Sequence, residues 1–172
     1  ASCLPSCVPV IVSGAGTAAP ATVDRRPYKT QLQDAEIEHN FNKAYTEALE
    51  ARSQTSATAF NYQLLLTGQA IDQGTKNELE KIGRTIPNVR EVFNELSIGY
   101  PQSFPARSND AFLTAKVKTR LFENKDISAH HFKVVSEAGT VYLMGLVTEQ
   151  EASIATEIAR EDERVRIARR GV

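Results

Sequence analysis

The chain has 172 residues, 41% of them hydrophobic and 24% charged, with 20 Lys and Arg against 21 Asp and Glu. That is the composition of a globular chain, long enough for one domain or two small ones, and a net charge of −1 excludes a nucleic-acid binder working through a strongly basic surface. The two cysteines, Cys3 and Cys7, both lie at the start, so no disulfide can staple the body of the protein.

Residues 1–30 read as a flexible tether. The stretch from Ala1 to Val23 carries no charge, yet Pro5, Pro9, Pro20, Gly14 and Gly16 and its many small residues exclude a transmembrane helix. Its Gly14-Ala-Gly16-Thr-Ala-Ala19 imitates the glycine motif of a dinucleotide fold. That motif needs a helix starting at the glycines to direct amide groups at a pyrophosphate, and Pro20 and Pro27 interrupt any such helix.

Residues 31–99 form the first predicted unit. Ile37, Phe41, Tyr45 and Leu49 recur every fourth residue, which predicts one amphipathic helix with Asp34 as its N-cap. Ala57 to Phe60 and Gln63 to Gln69 predict two strands joined at Asn61-Tyr62, with Leu64 and Leu66 on one face. A second helix from Gln73 to Arg84 carries Leu79 and Ile82, Pro87-Asn88 breaks it, and Val89 to Ile98 supplies a third strand.

Residues 100–107 read as a linker, after which the same order begins again in residues 108–172. Ser108-Asn109-Asp110 gives a cap signal, and Leu113, Val117 and Leu121 form a helical stripe. His131 to Ser136 and Thr140 to Gly145 make a hairpin around Glu137-Ala138-Gly139, and a helix starts at Thr148 with Ile154 and Ile158. Aligned on Gly68 and Gly145, an offset of 77 residues, Leu64 superimposes on Val141 and Leu66 on Leu143. The fold class is therefore α+β, with two tandem units of two helices on a small mixed sheet.

Each unit resembles the BON domain, through the apolar-x-apolar-x-Gly strand ends at Gly68 and Gly145 and through Pro87-Asn88-Val89 to Asn94-Glu95-Leu96. Two such units behind a cysteine-headed tether are similar to the dual-BON outer-membrane lipoproteins of Gram-negative bacteria, the DolP type. Ser108 to Val117 and Val141 to Glu149 are the stretches most like them. The resemblance implies a lipid anchor at the periplasmic face of the outer membrane, phospholipid binding by the second unit, and a part in envelope integrity. In two respects the chain departs from the pattern: Tyr62 stands at the hairpin glycine of the first unit, so a wider turn is expected at Asn61-Tyr62, and the end of the second unit is unusual. Where the second unit should enter its last strand, Glu161 to Arg170 is a charged run, which predicts a continuation of the second helix and leaves that sheet without its last strand; a strand recruited from a neighbouring chain is the other solution.

No catalytic motif is present, and neither a cofactor nor a metal is expected. His39 falls on the polar side of the first helix, and the adjacent His130 and His131 would point to opposite faces of a strand and could not share a metal. For acylation, Leu4-Pro5-Ser6-Cys7 has the spacing of a lipoprotein cleavage site, which makes Cys7 the first candidate and Cys3 the second. For membrane contact, steps of 100° along the first helix of the second unit put Phe112, Ala115, Thr119 and Phe122 opposite the core stripe, flanked by Lys116 and Lys118. Aromatic rings bracketed by lysines suit an anionic phospholipid surface. The matching helix of the first unit presents Glu36, His39, Lys43, Glu47 and Glu50 instead. The competing expectations are that Phe122 caps the core with Phe112 under the linker beside Phe104, and that the units bind proteins, as a periplasmic chaperone or an adaptor for outer-membrane assembly machinery.

Overall fold

The computed structural model describes residues 24–160 and 164–169, so Cys3, Cys7 and the Gly14–Gly16 motif lie outside the described residues. The first unit runs α1 (Tyr28–Ala44), α2 (Glu47–Glu50), β1 (Ser53–Phe60), β2 (Gln63–Ala70), α3 (Gln73–Thr85), β3 (Glu91–Asn94) and β4 (Ser97–Ile98). The second runs α4 (Phe104–Glu123), a 3-10 turn at Ala129–His131, β5 (Phe132–Glu137), β6 (Thr140–Gly145), α5 (Glu149–Arg160) and β7 (Arg164–Arg169). Both sheets are an antiparallel hairpin with a further strand added in parallel to its second member. In the first unit β2 pairs with β3 and then β4, and in the second β6 pairs with β7.

Strand periodicity explains the layers. Leu64 and Leu66 face α1 and α3 with Ile37, Phe41 and Leu79, and Val141 and Leu143 face α4 and α5 with Leu113, Val117 and Leu121. The alternate residues are apolar too. Phe60 and Leu65 of one sheet meet Tyr142 and Met144 of the other in a third core, so the outer faces of the two sheets pack together with the helices outside. A central strand buried on both sides reads as an unbroken apolar run, which is what Leu64-Leu65-Leu66 and Val141-Tyr142-Leu143-Met144 are. Polar links cross the same seam. Lys133 Nζ donates to Glu38 Oε1 at 2.7 Å and to the Ala59 carbonyl at 3.1 Å, and Gln69 Nε2 donates to Glu137 Oε1 at 3.0 Å.

Several expectations are corrected. Helix α1 starts at Tyr28, inside the expected tether, and ends before Tyr45; Leu49 reaches the core from the separate short α2. Tyr45 leaves the helical path, and its hydroxyl donates to the Ser53 carbonyl at 2.8 Å. Asp34 is not an N-cap, and neither is Asp110. Both are buried inside their helices and accept the two turn amides of their own unit's hairpin: Asn61 and Tyr62 at 2.8 Å each, Ala138 and Gly139 at 2.9 Å each. The Asn61-Tyr62 turn is accordingly tight rather than wide, with φ of 50° and 66°. Tyr62 tolerates this because its ring lies under the Arg90 guanidinium, 4.3 Å away, and its hydroxyl bonds to Gln33. The third strand of the first sheet is interrupted at Glu95-Leu96, and the linker gives way to helix at Phe104, with Pro105 in the first helical turn. There the missing N–H of proline costs nothing.

The largest correction is at the C-terminus. Arg164–Arg169 is not a helical extension but β7, in register with β6 from Thr140 to Gly145, so the second sheet is complete without a neighbour. Val165 and Ile167 stand opposite Val141 and Leu143, with Arg164 before them and Arg166 between them. That is strand alternation on an edge strand, concealed by its charge.

Two adjacent residues rivet the units together. Arg26 belongs to the first: its guanidinium sits 3.9 Å over Phe60 and bonds Asp24 and Asp34 at 2.7 Å each. Arg25 belongs to the second, holding Glu151 through two 2.7 Å bonds and the Leu146 carbonyl at 3.2 Å. Glu151 also accepts from the Thr148 N–H at 2.8 Å, closing a capping box at the start of α5. Arg25, with Thr148 behind it, holds the Glu151 carboxyl at about 2. Because the folded value lies below the unfolded one, this stabilisation is complete above the ordinary glutamate range, near 4.5, and is lost as pH falls toward 2. Arg25 is partly exposed, so screening reduces the pair to about 1–2 kcal/mol. Burial raises Glu137, which acts in the opposite sense on acidification, so the comparison must be between variants. Urea melts of the wild type and Glu151→Gln should differ by about 1–2 kcal/mol at pH 7 and converge by about pH 2–3. A gap that persists at the acid end would count against the pair.

Candidate membrane-contact face

On α4, Leu113, Val117 and Leu121 are buried and Asp110 joins them, so the opposite side is outward by helix geometry. Phe112 and Phe122 are 69% and 72% exposed, which overturns the expectation that they pack beneath the linker and cap the core. Ala115, Lys118 and Thr119 are exposed beside them, Lys116 is half-buried, and the Thr119 hydroxyl is turned back onto the Ala115 carbonyl at 3.0 Å.

The earlier start of α4 adds a residue that the sequence reading missed. Phe104, 74% exposed, lies 18 residues before Phe122, about five whole turns, so both rings fall on one line roughly 27 Å long with Ala115 close to it and Phe112 about 80° to one side, still on the outward half of the helix. Ser103-Phe104-Pro105 was the available signal, as a serine cap followed by a first-turn proline. Arg107 and Lys118 flank this line on one side and Lys116 lies beyond Phe112 on the other, while Glu123 closes the C-terminal end. Tyr100, 88% exposed, continues the aromatic surface before the helix.

The same positions on α1 differ. Tyr28 and Leu32 are exposed in its first turns, but Glu36 stands where α4 has Phe112, followed by the exposed His39 and Lys43. Glu47 and Glu50 belong to α2 and not to this face.

Where α4 ends, a groove opens against the segment 124–131. Two adjoining cavities, of about 390 and 490 Å³, share Phe122, Ala129 and His130. One continues to Lys118 and Phe132, the other to Asn124, Ser128, Arg25 and Glu151. His130 and His131 lie in the 3-10 turn rather than on a strand; His130 is exposed and His131 is buried. Among the described residues, no group of three or more His, Cys, Asp or Glu side chains is placed to hold a metal, and no helix is long and apolar enough to cross a membrane.

Paired helix-on-sheet units joined sheet to sheet, each with a hairpin and a parallel third strand, define a tandem α+β protein of the BON type. Residues 109–166 match the BON domain. The outer membrane lipoprotein DolP of Haemophilus influenzae is 32% identical over 158 residues, covering 91% of this chain and 82% of that protein. The chain belongs to the DolP family of BON-domain proteins. The 21 kDa hemolysin of Actinobacillus pleuropneumoniae is 29% identical over 140 residues, 80% of this chain and 72% of its own length. Among solved structures, CdsD of the type III secretion system of Chlamydia trachomatis overlaps 77% of this chain and 57% of its own at 17% identity, with a TM-score of 0.28.

Proposed function

We propose that the protein is a lipid-anchored component of the periplasmic face of the outer membrane that binds anionic phospholipid through the outer face of α4 and thereby supports outer-membrane integrity. What supports this reading most is the outward half of α4, where Phe104, Phe112 and Phe122 are exposed and edged by Arg107, Lys116 and Lys118. Rings of this kind gain by entering the acyl boundary, and each lysine beside an anionic surface contributes about 1 kcal/mol. The name of the Haemophilus relative supports the location and the anchor. Cys7 is the residue we assign to acylation, where several chains at about 0.8 kcal/mol per buried methylene would give a stable hold. An unmodified Cys7 in mass spectra of protein extracted from its membrane would remove the anchor.

Flotation with phosphatidylglycerol vesicles tests the helix face. Phe112→Ala/Phe122→Ala should weaken binding by about 100-fold, at about 1.4 kcal/mol for each partly inserted ring. Lys116→Glu/Lys118→Glu should weaken it by at least about tenfold, more at low salt than at high. Lys43→Glu on α1 should bind as the wild type does. If neither α4 variant changes binding while circular dichroism shows both folded, the assignment is wrong. No binding by the wild type would favour a protein-binding module instead.

A further inference from the structure

We propose that the sheet-to-sheet seam between the two units opens and closes, and that Glu137 makes it close more tightly as the surroundings turn acidic. The first ground is the make-up of the seam. On the seam side of β1 and β2 stand Thr58, Phe60, Gln63, Leu65, Thr67 and Gln69, all buried and four of them polar. A joint of that composition resembles the polar contacts between domains that move relative to one another. Thr67 is 0% exposed and its hydroxyl has no partner among the described residues, a cost that parting of the sheets would relieve.

The second ground is an asymmetry along the seam. At one end charge pairs cross it, Lys133 with Glu38 and Arg25 with Glu151. At the other end a cavity of about 310 Å³ lies between the units, with Gly68, Lys76 and Ser97 on one side and Glu137, Thr140 and Tyr142 on the other. There a neutral amide meets a carboxylate, as Gln69 Nε2 donates to Glu137 Oε1 at 3.0 Å. The oxygen of the same amide accepts the Gln102 N–H at 3.3 Å, which fixes its orientation with the nitrogen toward Glu137.

The third ground is what surrounds Glu137. On α4, Asp110 holds the Ala138 and Gly139 amides, which places a second carboxylate beside it, and Arg107 is exposed one turn earlier. From the first unit Lys76 and Glu95 line the cavity, but the Lys76 ammonium is committed to the Leu96 carbonyl at 2.6 Å. No cation is paired with Glu137 among the described residues. Burial, with the charge of Asp110 added, raises its carboxyl above the ordinary 4.5, against the bond from Gln69 and the charge of Arg107. Opening of the seam returns the group to water and to its ordinary value. The closed seam therefore binds the proton more tightly, so its gain is complete below about 4.5 and is lost as pH rises through the closed-state value. Protonation leaves the bridge intact, because a neutral carboxyl still has a carbonyl oxygen to accept from Gln69.

The test puts one thiol in the seam. Thr67→Cys is made in the full chain carrying Cys3→Ser and Cys7→Ser, and its modification by dithiodipyridine is measured relative to a free thiol at the same pH. Protection should fall by about threefold or more between pH 5 and pH 7.5. With Glu137→Gln added, which is neutral throughout and keeps an acceptor for Gln69, protection should stay near its pH 5 level at both. The three histidines remain in every variant, so a pH response that survives undiminished in Glu137→Gln belongs to another group and overturns the proposal. Protection that does not change with pH in the parent overturns it too. Ala59→Cys, on the helix side of the first sheet, should be at least about tenfold better protected than the seam position. Equal protection at the two positions would mean that the seam opens only when the unit unfolds, and would sink the idea. Carbon NMR of the Glu137 carboxyl is the independent measurement: titration within or below the ordinary glutamate range would remove Glu137 as the sensor.

Discussion

Gly68→Ala should cost the first unit about 3–5 kcal/mol, a large share of a domain's whole stability, which is of the order of 5–15 kcal/mol. Gly68 has φ of +120°, a conformation that side chains rarely adopt, and an added Cβ would fall 1.9 Å from the Gln54 carbonyl oxygen and 3.3 Å from Thr55 Cα. Both are backbone atoms of the paired strand, fixed by a register that matches Thr55 with Gly68, so relief requires breaking the ladder. The place is not arbitrary. Strand β2 changes its parallel partner here, from β3 at Leu66 to β4 at Gln69, and the Ser97 hydroxyl reaches the Gly68 carbonyl at 3.2 Å. Gly145 is the informative comparison. Its Cβ would meet the His131 carbonyl oxygen at 3.0 Å and the Phe132 ring at 3.1 Å, tight contacts but with no unusual φ, and Gly145→Ala should cost about 1–2 kcal/mol. Urea unfolding of the two variants should separate them; equal costs would mean that the first-unit strand has more freedom than its pairing implies.

The two glycines align in the sequence and yet do different work, and the same division runs through the whole reading. What was legible was local and periodic. The hairpins, helix α3 and the equivalence of Leu64 with Val141 follow from alternation, and the outward side of α4 follows from 100° steps. What was not legible depended on partners far along the chain. An aspartate before an apolar stripe is an N-cap signal, and nothing local to Asp34 or Asp110 reveals that a hairpin 27 to 29 residues away will present two amides to it. The sheet-to-sheet core was written in the unbroken apolar runs of β2 and β6, whose second face has no meaning until another sheet is supplied. Strand β7 was hidden because three arginines in six residues outweigh Val165 and Ile167 in any composition-based reading.

The candidate site divides in the same way. Phe112, Ala115, Lys118, Thr119 and Phe122 share a helix, so one periodicity places them all. Phe104 was lost because Pro105 reads equally well as linker punctuation and as a first-turn helical residue, and only the course of the chain decides. The groove could not be found from the sequence at all, since it joins the end of α4, the 3-10 turn and Arg25 from more than 90 residues upstream.

Removing either buried helix carboxylate should have the other large effect. Asp110→Ala is expected to cost about 3–4 kcal/mol, since charge-assisted bonds are worth about 1.5–3 kcal/mol each and the Ala138 and Gly139 amides would be left facing a methyl group. Asp34→Ala should cost as much or more. Its carboxylate accepts from Asn61 and Tyr62 and also neutralises Arg26, which over the Phe60 ring would keep Asp24 as its one anionic partner among the described residues. The turn it holds contains two non-glycine residues at positive φ, so the carboxylate offsets backbone strain that the Ala138-Gly139 turn carries at one residue only. Replacement by asparagine separates charge from geometry. An amide keeps one acceptor but turns two donors toward an N–H, so Asp34→Asn should recover less than half of the loss. Hydrogen exchange locates the effect: the Asn61 and Tyr62 amides in one variant, and Ala138 and Gly139 in the other, should lose protection before the sheet amides do. If those amides exchange at the wild-type rate in variants that remain folded, the carboxylates are not what closes the hairpins.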